Sequence, residues 1–232
     1  ETTDTAGAIE FASGSSVDAT SGSAGGTGDI ALSGLGSLTL TDVDTADGAI
    51  TVTSAGAITA SDVATGNNNN ISLTTTTGDI TGVAIVNAGN GNVSLNSAGE
   101  IVDDTDEATV VAGSVLTANA AGAITIDTSV TSASLTTSAA GAIDVDEADA
   151  ITLSSISANN GSITVDAGGA LTATIVNSSG GNQDISLTTT SGDITGVATV
   201  NAGTGNVTLS SAGAIVDDGN AVTVITGDVL TV

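Results

Sequence analysis

Apolar residues enter this chain in short, evenly spaced pulses. A strand-type signal, Ile or Val followed two places later by another apolar residue, opens at Ile9, Ile30, Ile50, Ile71, Val93, Val115, Ile163, Ile185, Val207 and Val229, with a weaker opening at Leu135. Most steps are 20 to 22 residues. A second apolar anchor follows 8 or 9 residues later, usually after Gly, at Ile58, Ile80, Ile101, Ile124, Ile143, Leu171, Ile194 and Ile215. A third, looser position comes near Val63, Val83 with Val86, Val110 with Val111, Val130, Ile175 with Val176, Val197 with Val200, and Val222 with Val224. Within each pulse the alternation has period two, the signature of a half-buried strand. Three short strands per ~22 residues describe one coil of a parallel β-solenoid. Ile and Val then face inward, Ser, Thr, Asn and Asp face outward, and Ala fills the narrow parts of the interior.

Repetition at a longer scale supports this reading. Residues 71–104 return as residues 185–218, matching at 28 of 34 positions, and the wider near-duplicate spans 71–117 and 185–231 at an offset of 114. Five openings precede the return, so the duplicated length is about five coils of one continuous solenoid covering 1–232. The beat slips between Leu135 and Ile163, where AITLSSISANN predicts an irregular coil with inserted material. Gly and Asn clusters such as SGSAGG at 21–26 and GNNNN at 66–70 are expected at corners, where tight bends ask for positive φ. A helical solenoid fits less well, because Val, Ile, Thr and Gly are abundant and no 3.6-residue stripe is present. An immunoglobulin-like array would need longer strands and core aromatics.

Composition then limits the chemistry. The chain has no Lys, Arg, His, Pro, Cys, Met, Trp or Tyr, a single Phe, and 26 acids, for a net charge of −26. No internal salt bridge between side chains is available and no disulfide framework exists, so stability must come from repeated backbone pairing. Disorder is disfavoured: Ile, Leu, Val and Phe number 56 of 232, about 24%, and they recur regularly. No apolar run approaches the ~20 residues of a membrane span, and no basic segment followed by an apolar stretch opens the chain, so an export signal is expected to lie outside it.

About ten coils at ~4.8 Å predict a rod roughly 50 Å long, with about one carboxylate per 2 Å. That density is close to that of duplex DNA, so nucleic acid and anionic membrane are expected to be repelled. Cationic surfaces or glycans are the expected partners. Open coil ends are expected to support self-association, because unpaired strand edges invite pairing.

The acids cluster as Asp42, Asp44 and Asp47; Asp103, Asp104, Asp106 and Glu107; Asp144, Asp146, Glu147 and Asp149; and Asp217 with Asp218. Hard oxygen ligands at such spacing suit Ca²⁺, making these 13 residues the candidate calcium ligands. The competing reading is a set of solvated acidic corners. DVDTADG imitates the start of an EF-hand loop but lacks its downstream Glu, and GGTGDIAL is one residue short of a calcium-roll nonapeptide. Catalysis is not expected: basic residues are missing, and the adjacent acids Asp103 and Asp104 would face opposite sides of a strand.

Two outward columns of polar residues form a further candidate surface: Thr51, Ser72, Ser94, Ser134, Thr164, Ser186 and Thr208, with Thr53, Thr74, Asn96, Thr188 and Ser210 two places on. Ice binding is a minor alternative for them, and an ordinary hydrated face the plainer one. Sequons at Asn70, Asn92, Asn160, Asn177 and Asn206 would carry sugar only in a glycosylating host.

The phrases GDIT, GNVSL, SAGEIVDD and AGAIT resemble the repeat regions of filamentous-haemagglutinin-like exoproteins, the large secreted β-solenoid adhesins of Gram-negative bacteria. The resemblance covers nearly the whole chain. It implies a right-handed parallel β-helix, export by a two-partner route, and a role in adhesion or surface structure; the family's secretion domain is not evident in these residues. The expectation is a non-enzymatic extracellular fibre, filament or stalk, with the interior of a large adhesin as the alternative.

Overall fold

The structure, a computed structural model, describes residues 9–11, 14–21 and 28–232. Corner residues 22–26 lie outside the described residues. Among those described there is no helix, only short strands joined by turns. The chain forms two compact units, Glu1–Ser114 and Val115–Val232. Each is a parallel β-solenoid with about three strands per coil, and together they supply about ten coils.

In the first unit one ladder stacks Ile30, Ile50, Ile71 and Val93, with Leu32, Val52, Leu73 and Leu95 in register two places on. A second ladder stacks Leu38, Ile58, Ile80 and Ile101. A third stacks Val43, Val63, Val86 and Val111. All of these residues are buried, and the strand Ile50–Ser54 alternates buried and exposed along its length. The strand Ile9–Phe11 joins the first ladder two places out of the expected phase, because Ile9 pairs with Leu32 rather than with Ile30.

The second unit repeats the plan and revises part of the expected register. Ile124, Ile143, Ile163, Ile185, Val207 and Leu230 form one ladder. Ile124 and Ile143 are therefore first-strand residues, not second anchors. Leu135 is not an opening either: it stacks with Ile156, Val176, Val200 and Ile225 in another ladder. A further ladder runs through Ile151, Leu171, Ile194 and Ile215. Near the other two expected openings Leu116 is buried, with Val115 exposed, and Leu230 takes the rung assigned to Val229.

The irregular coil also resolves differently. Ile143 and Ile163 pair in register across one ordinary coil. The inserted material shrinks to one residue: Ala133 pairs with Leu153 and Ser134 with Ser155, so Ser154 bulges. A bulge absorbs an extra residue by a local bend without needing another coil. The same device recurs at Thr41, between the pairs Val17–Leu40 and Asp18–Asp42.

Inward hydroxyls close the corners. Thr45, Ser97, Thr137 and Thr189 donate to the carbonyls of Gly48, Glu100, Gly141 and Gly192 at 2.6, 2.8, 2.9 and 3.1 Å. Such bonds satisfy polar groups in the dry interior that would otherwise cost about 1–3 kcal/mol each. The corners contain two kinds of special residue. Asn67, Asn68 and Asn160 take the expected positive φ. Most corner glycines are needed for another reason: a Cβ on Gly48, Gly66 or Gly161 would lie 2.2, 2.1 or 2.0 Å from a carbonyl oxygen of the preceding coil.

Gly161→Ala is therefore expected to destabilise the second unit by about 3 kcal/mol through overpacking, measured by chemical denaturation. Gly181→Ala is the control and should change little, since its Cβ would meet only the movable Asn160 side chain, at 3.1 Å.

Candidate functional site

The four acidic clusters have different surroundings. Asp42 and Asp44 share the outward face of one strand, and the pairing of Val43 with Val63 sets Asp42 beside Asp62 of the next coil. Burial, then the charges of Asp42 and Asp62, hold Asp44 above the usual carboxylate range. Burial and the Asp42 charge do the same to Asp62. Asp42 Oδ1 and Asp44 Oδ1 are shielded from solvent and have no hydrogen-bond partner. Asp47 faces elsewhere and accepts from Asn69 Nδ2 at 3.1 Å.

Asp103, Asp104 and Asp106 fold a loop back on itself. Their Oδ1 atoms accept the amides of Thr105, Asp106 and Ala108 at 3.1, 3.3 and 3.1 Å. The Thr109 hydroxyl sits 2.7 Å from Asp104 Oδ1 and 2.8 Å from the Asp106 carbonyl. Glu107 is exposed. Asp217 and Asp218 rebuild this loop in the second unit: they accept the amides of Gly219 and Asn220 at 3.0 and 2.9 Å, and Thr223 lies 2.7 Å from Asp218. The Thr223 hydroxyl and the Asn220 amide hold Asp218 below the usual carboxylate range. Side-chain oxygens that accept amides two residues on are Asx turns, which explains why acids gather here.

In the remaining cluster, Asp144 and Asp146 point outward from the strand Ile143–Glu147, and Glu147 points inward. Asp127, Asp146 and Asp166 occupy one register position on successive coils, with Asp146 exposed and Asp127 buried. Glu147 is 3% exposed. Its carboxyl oxygens accept from Thr128 Oγ1 at 2.8 Å, from the Val130 amide at 3.1 Å and from the Asp149 amide at 3.2 Å. Among the described residues no three acids converge to hold a metal ion, so the 13 candidate ligands are brought together in pairs and turns only. Glu147 is further removed from any such set by the donors that occupy it.

The sequence reading missed the most regular use of acids. Asp29, Asp79, Asp184 and Asp193 accept the amides of Ala49, Glu100, Asn206 and Ala214, one coil on, at 2.8, 2.9, 2.7 and 2.8 Å. Asn70 does the same for Asn92 at 2.9 Å. Each sits immediately before an inward Ile, and for Asp29, Asp79 and Asp193 the signal was present in the recurring Gly-Asp-Ile phrase. These side chains clamp one coil to the next.

The expected polar columns exist in part. Thr51, Ser72 and Ser94 stack, as do Thr53, Thr74 and Asn96. In the second unit Thr164, Ser186 and Thr208 stack above Asp144, and Thr188 and Ser210 above Asp166. Ser134 leaves the column to pair with Ser155. An open pocket of about 640 Å³ near Leu209, Ile215 and Val232 is lined by aliphatic and hydroxyl side chains. Among the described residues no helix is long and apolar enough to cross a membrane.

Fold and surface together define a β-solenoid repeat protein. No family model matches the sequence, and no curated protein or solved structure matches it.

The two copies of the Asx loop differ where φ is positive, at Thr105 (+65°) and Gly219 (+77°). Thr105→Gly is expected to stabilise the first unit by about 1 kcal/mol, read as a higher urea midpoint, because a β-branched residue is strained there. Chelation of divalent cations should leave the melting temperature unchanged, since the loop oxygens are already occupied by amides and hydroxyls.

Proposed function

We propose that this chain is a non-enzymatic structural protein of the cell exterior, a stiff acidic solenoid segment of a surface fibre, filament or stalk. One observation carries the reading: in both units coil after coil repeats the same inward ladders and inter-coil clamps. What is repeated is the coil itself. Solenoids of this kind lengthen by adding coils, from the same chain or from another copy. In this reading the high negative charge keeps rods apart side by side and directs association to coil faces.

The resemblance to filamentous-haemagglutinin-like exoproteins supports a second reading, the interior repeats of a large adhesin. The stacked coils built from the GDIT and AGAIT phrases favour it, and binding would then be performed elsewhere in the polypeptide.

Electron microscopy and fibre diffraction of the native material discriminate these readings. A continuous fibre with a ~4.8 Å repeat along its axis and chain ends meeting between molecules supports the filament. Isolated rods of fixed length favour the adhesin. Rapid digestion of the native chain by a broad-specificity protease would overturn both, because a stacked solenoid offers few unpaired backbone segments.

A further inference from the structure

We propose that Asn160 with Gly161 is a self-modification site, at which the Gly161 backbone nitrogen attacks the Asn160 side-chain amide and, with water, converts it to aspartate or isoaspartate. The chain has two Asn-Gly pairs, Asn90 with Gly91 and Asn160 with Gly161. Both stand at the same corner of a coil, just ahead of the first-ladder strands that open at Val93 and Ile163. A glycine after asparagine leaves the attacking nitrogen without a neighbouring side chain to crowd it, so the dipeptide alone makes the two pairs alike. Their surroundings separate them.

Asn90 is held. Its backbone N–H and its Nδ2 both donate to Asn68 Oδ1 of the preceding coil at 2.9 Å, and the Gly91 N–H donates to the Ala88 carbonyl at 2.8 Å. Nucleophile and amide are each committed to another partner. Asn160, by contrast, is exposed; among the described residues its side chain makes no hydrogen bond and the Gly161 N–H has no acceptor. Glycines face it on the following coil: a Cβ on Gly181 would lie 3.1 Å from Asn160 Oδ1, and one on Gly180 would lie 3.4 Å from the Asn160 Cβ. No side chain at either glycine can do for Asn160 what Asn68 does for Asn90.

The step balances without a cofactor. The Gly161 nitrogen gives its proton to hydroxide and bonds to Asn160 Cγ, the Cγ–Nδ2 bond breaks, and Nδ2 leaves as ammonia with a proton taken from water. A cyclic imide remains, and one water opens it. Opening at Cγ restores the main chain and leaves aspartate; opening at the main-chain carbonyl leaves isoaspartate, with an added carbon in the backbone. That carbon has no room at this corner, since a Cβ on Gly161 would already stand 2.0 Å from the Gly141 carbonyl oxygen. The Asn160 N–H donates to the Ser179 carbonyl, and the Gly161 carbonyl accepts from Ser178 Oγ at 2.8 Å, so isoaspartate here loosens the hold on the following coil.

The test is incubation of the full chain, folded and in denaturing urea, in warm, mildly alkaline buffer. Digestion with a broad-specificity protease and mass spectrometry then follow each Asn-Gly pair separately. In the folded chain Asn160 should convert roughly tenfold or more faster than Asn90, because Asn90 must first release three hydrogen bonds, and the two rates should converge in urea. Asn68→Gly, which suits the positive φ at that position, should speed conversion of Asn90 and leave Asn160 unchanged. Equal rates in the folded chain, slower conversion of Asn160 than of Asn90, or an Asn90 rate unmoved by Asn68→Gly would overturn the proposal.

Discussion

The constraint on which everything else depends is parallel, in-register stacking of backbone at the ~4.8 Å inter-strand distance. Each residue then lies over its counterpart one coil away, and like falls on like. Ile over Ile and Leu over Val give continuous dry ladders, worth roughly 1.5–3 kcal/mol for each side chain fully buried. The same geometry brings carbonyl oxygens to within about 2 Å of where a corner Cβ would stand, which is why Gly48, Gly66 and Gly161 cannot be other residues. It also stacks acid on acid, a cost that a chain without any base must manage locally.

It manages that cost one carboxylate at a time. Asp29, Asp79, Asp184 and Asp193 spend their oxygens on amides of the next coil, turning negative charge into inter-coil clamps. Charge-assisted bonds of this type are stronger than neutral ones, so the acids add cohesion as well as solubility. Where acids crowd together instead, burial and the charges of neighbouring acids hold Asp44 and Asp62 above the usual carboxylate range. Glu147 combines the two solutions, being both bonded to amides and pushed upward by burial.

The alternation of apolar and polar residues was sufficient to read strands, parallel stacking and the buried set, because period-two patterning and inward facing are the same fact seen in one and three dimensions. Register was harder. The phrases AGAIT and AGAID place Ile124 and Ile143 after a glycine, as for the second anchors, yet they stack with Ile163 and Ile185. Sequence spacing alone does not say which ladder an Ile joins, since a coil tolerates a one-residue bulge such as Ser154 and then resumes phase. The partners of the acids were hard to read for a related reason: alternate strand positions and successive turn residues direct neighbouring carboxylates to separate groups, Asp47 to Asn69 and Asp104 to Thr109.

The duplicated loop shows what repetition preserved. At the offset of 114, Asp103, Asp104 and Thr109 return as Asp217, Asp218 and Thr223, while Asp106 becomes Asn220 and Glu107 becomes Ala221. Two of the four charges are gone. Yet Asn220 Oδ1 accepts the amide of Val222 at 3.2 Å as Asp106 Oδ1 accepts that of Ala108 at 3.1 Å, and Thr223 contacts the Asn220 carbonyl at 2.7 Å as Thr109 contacts that of Asp106. A divalent-cation site loses most of its affinity when half its carboxylates are removed, but an Asx turn needs only an oxygen two residues before an amide. The exchange of Asp for Asn at unchanged geometry shows that closure of this loop needs a side-chain oxygen and not a charge.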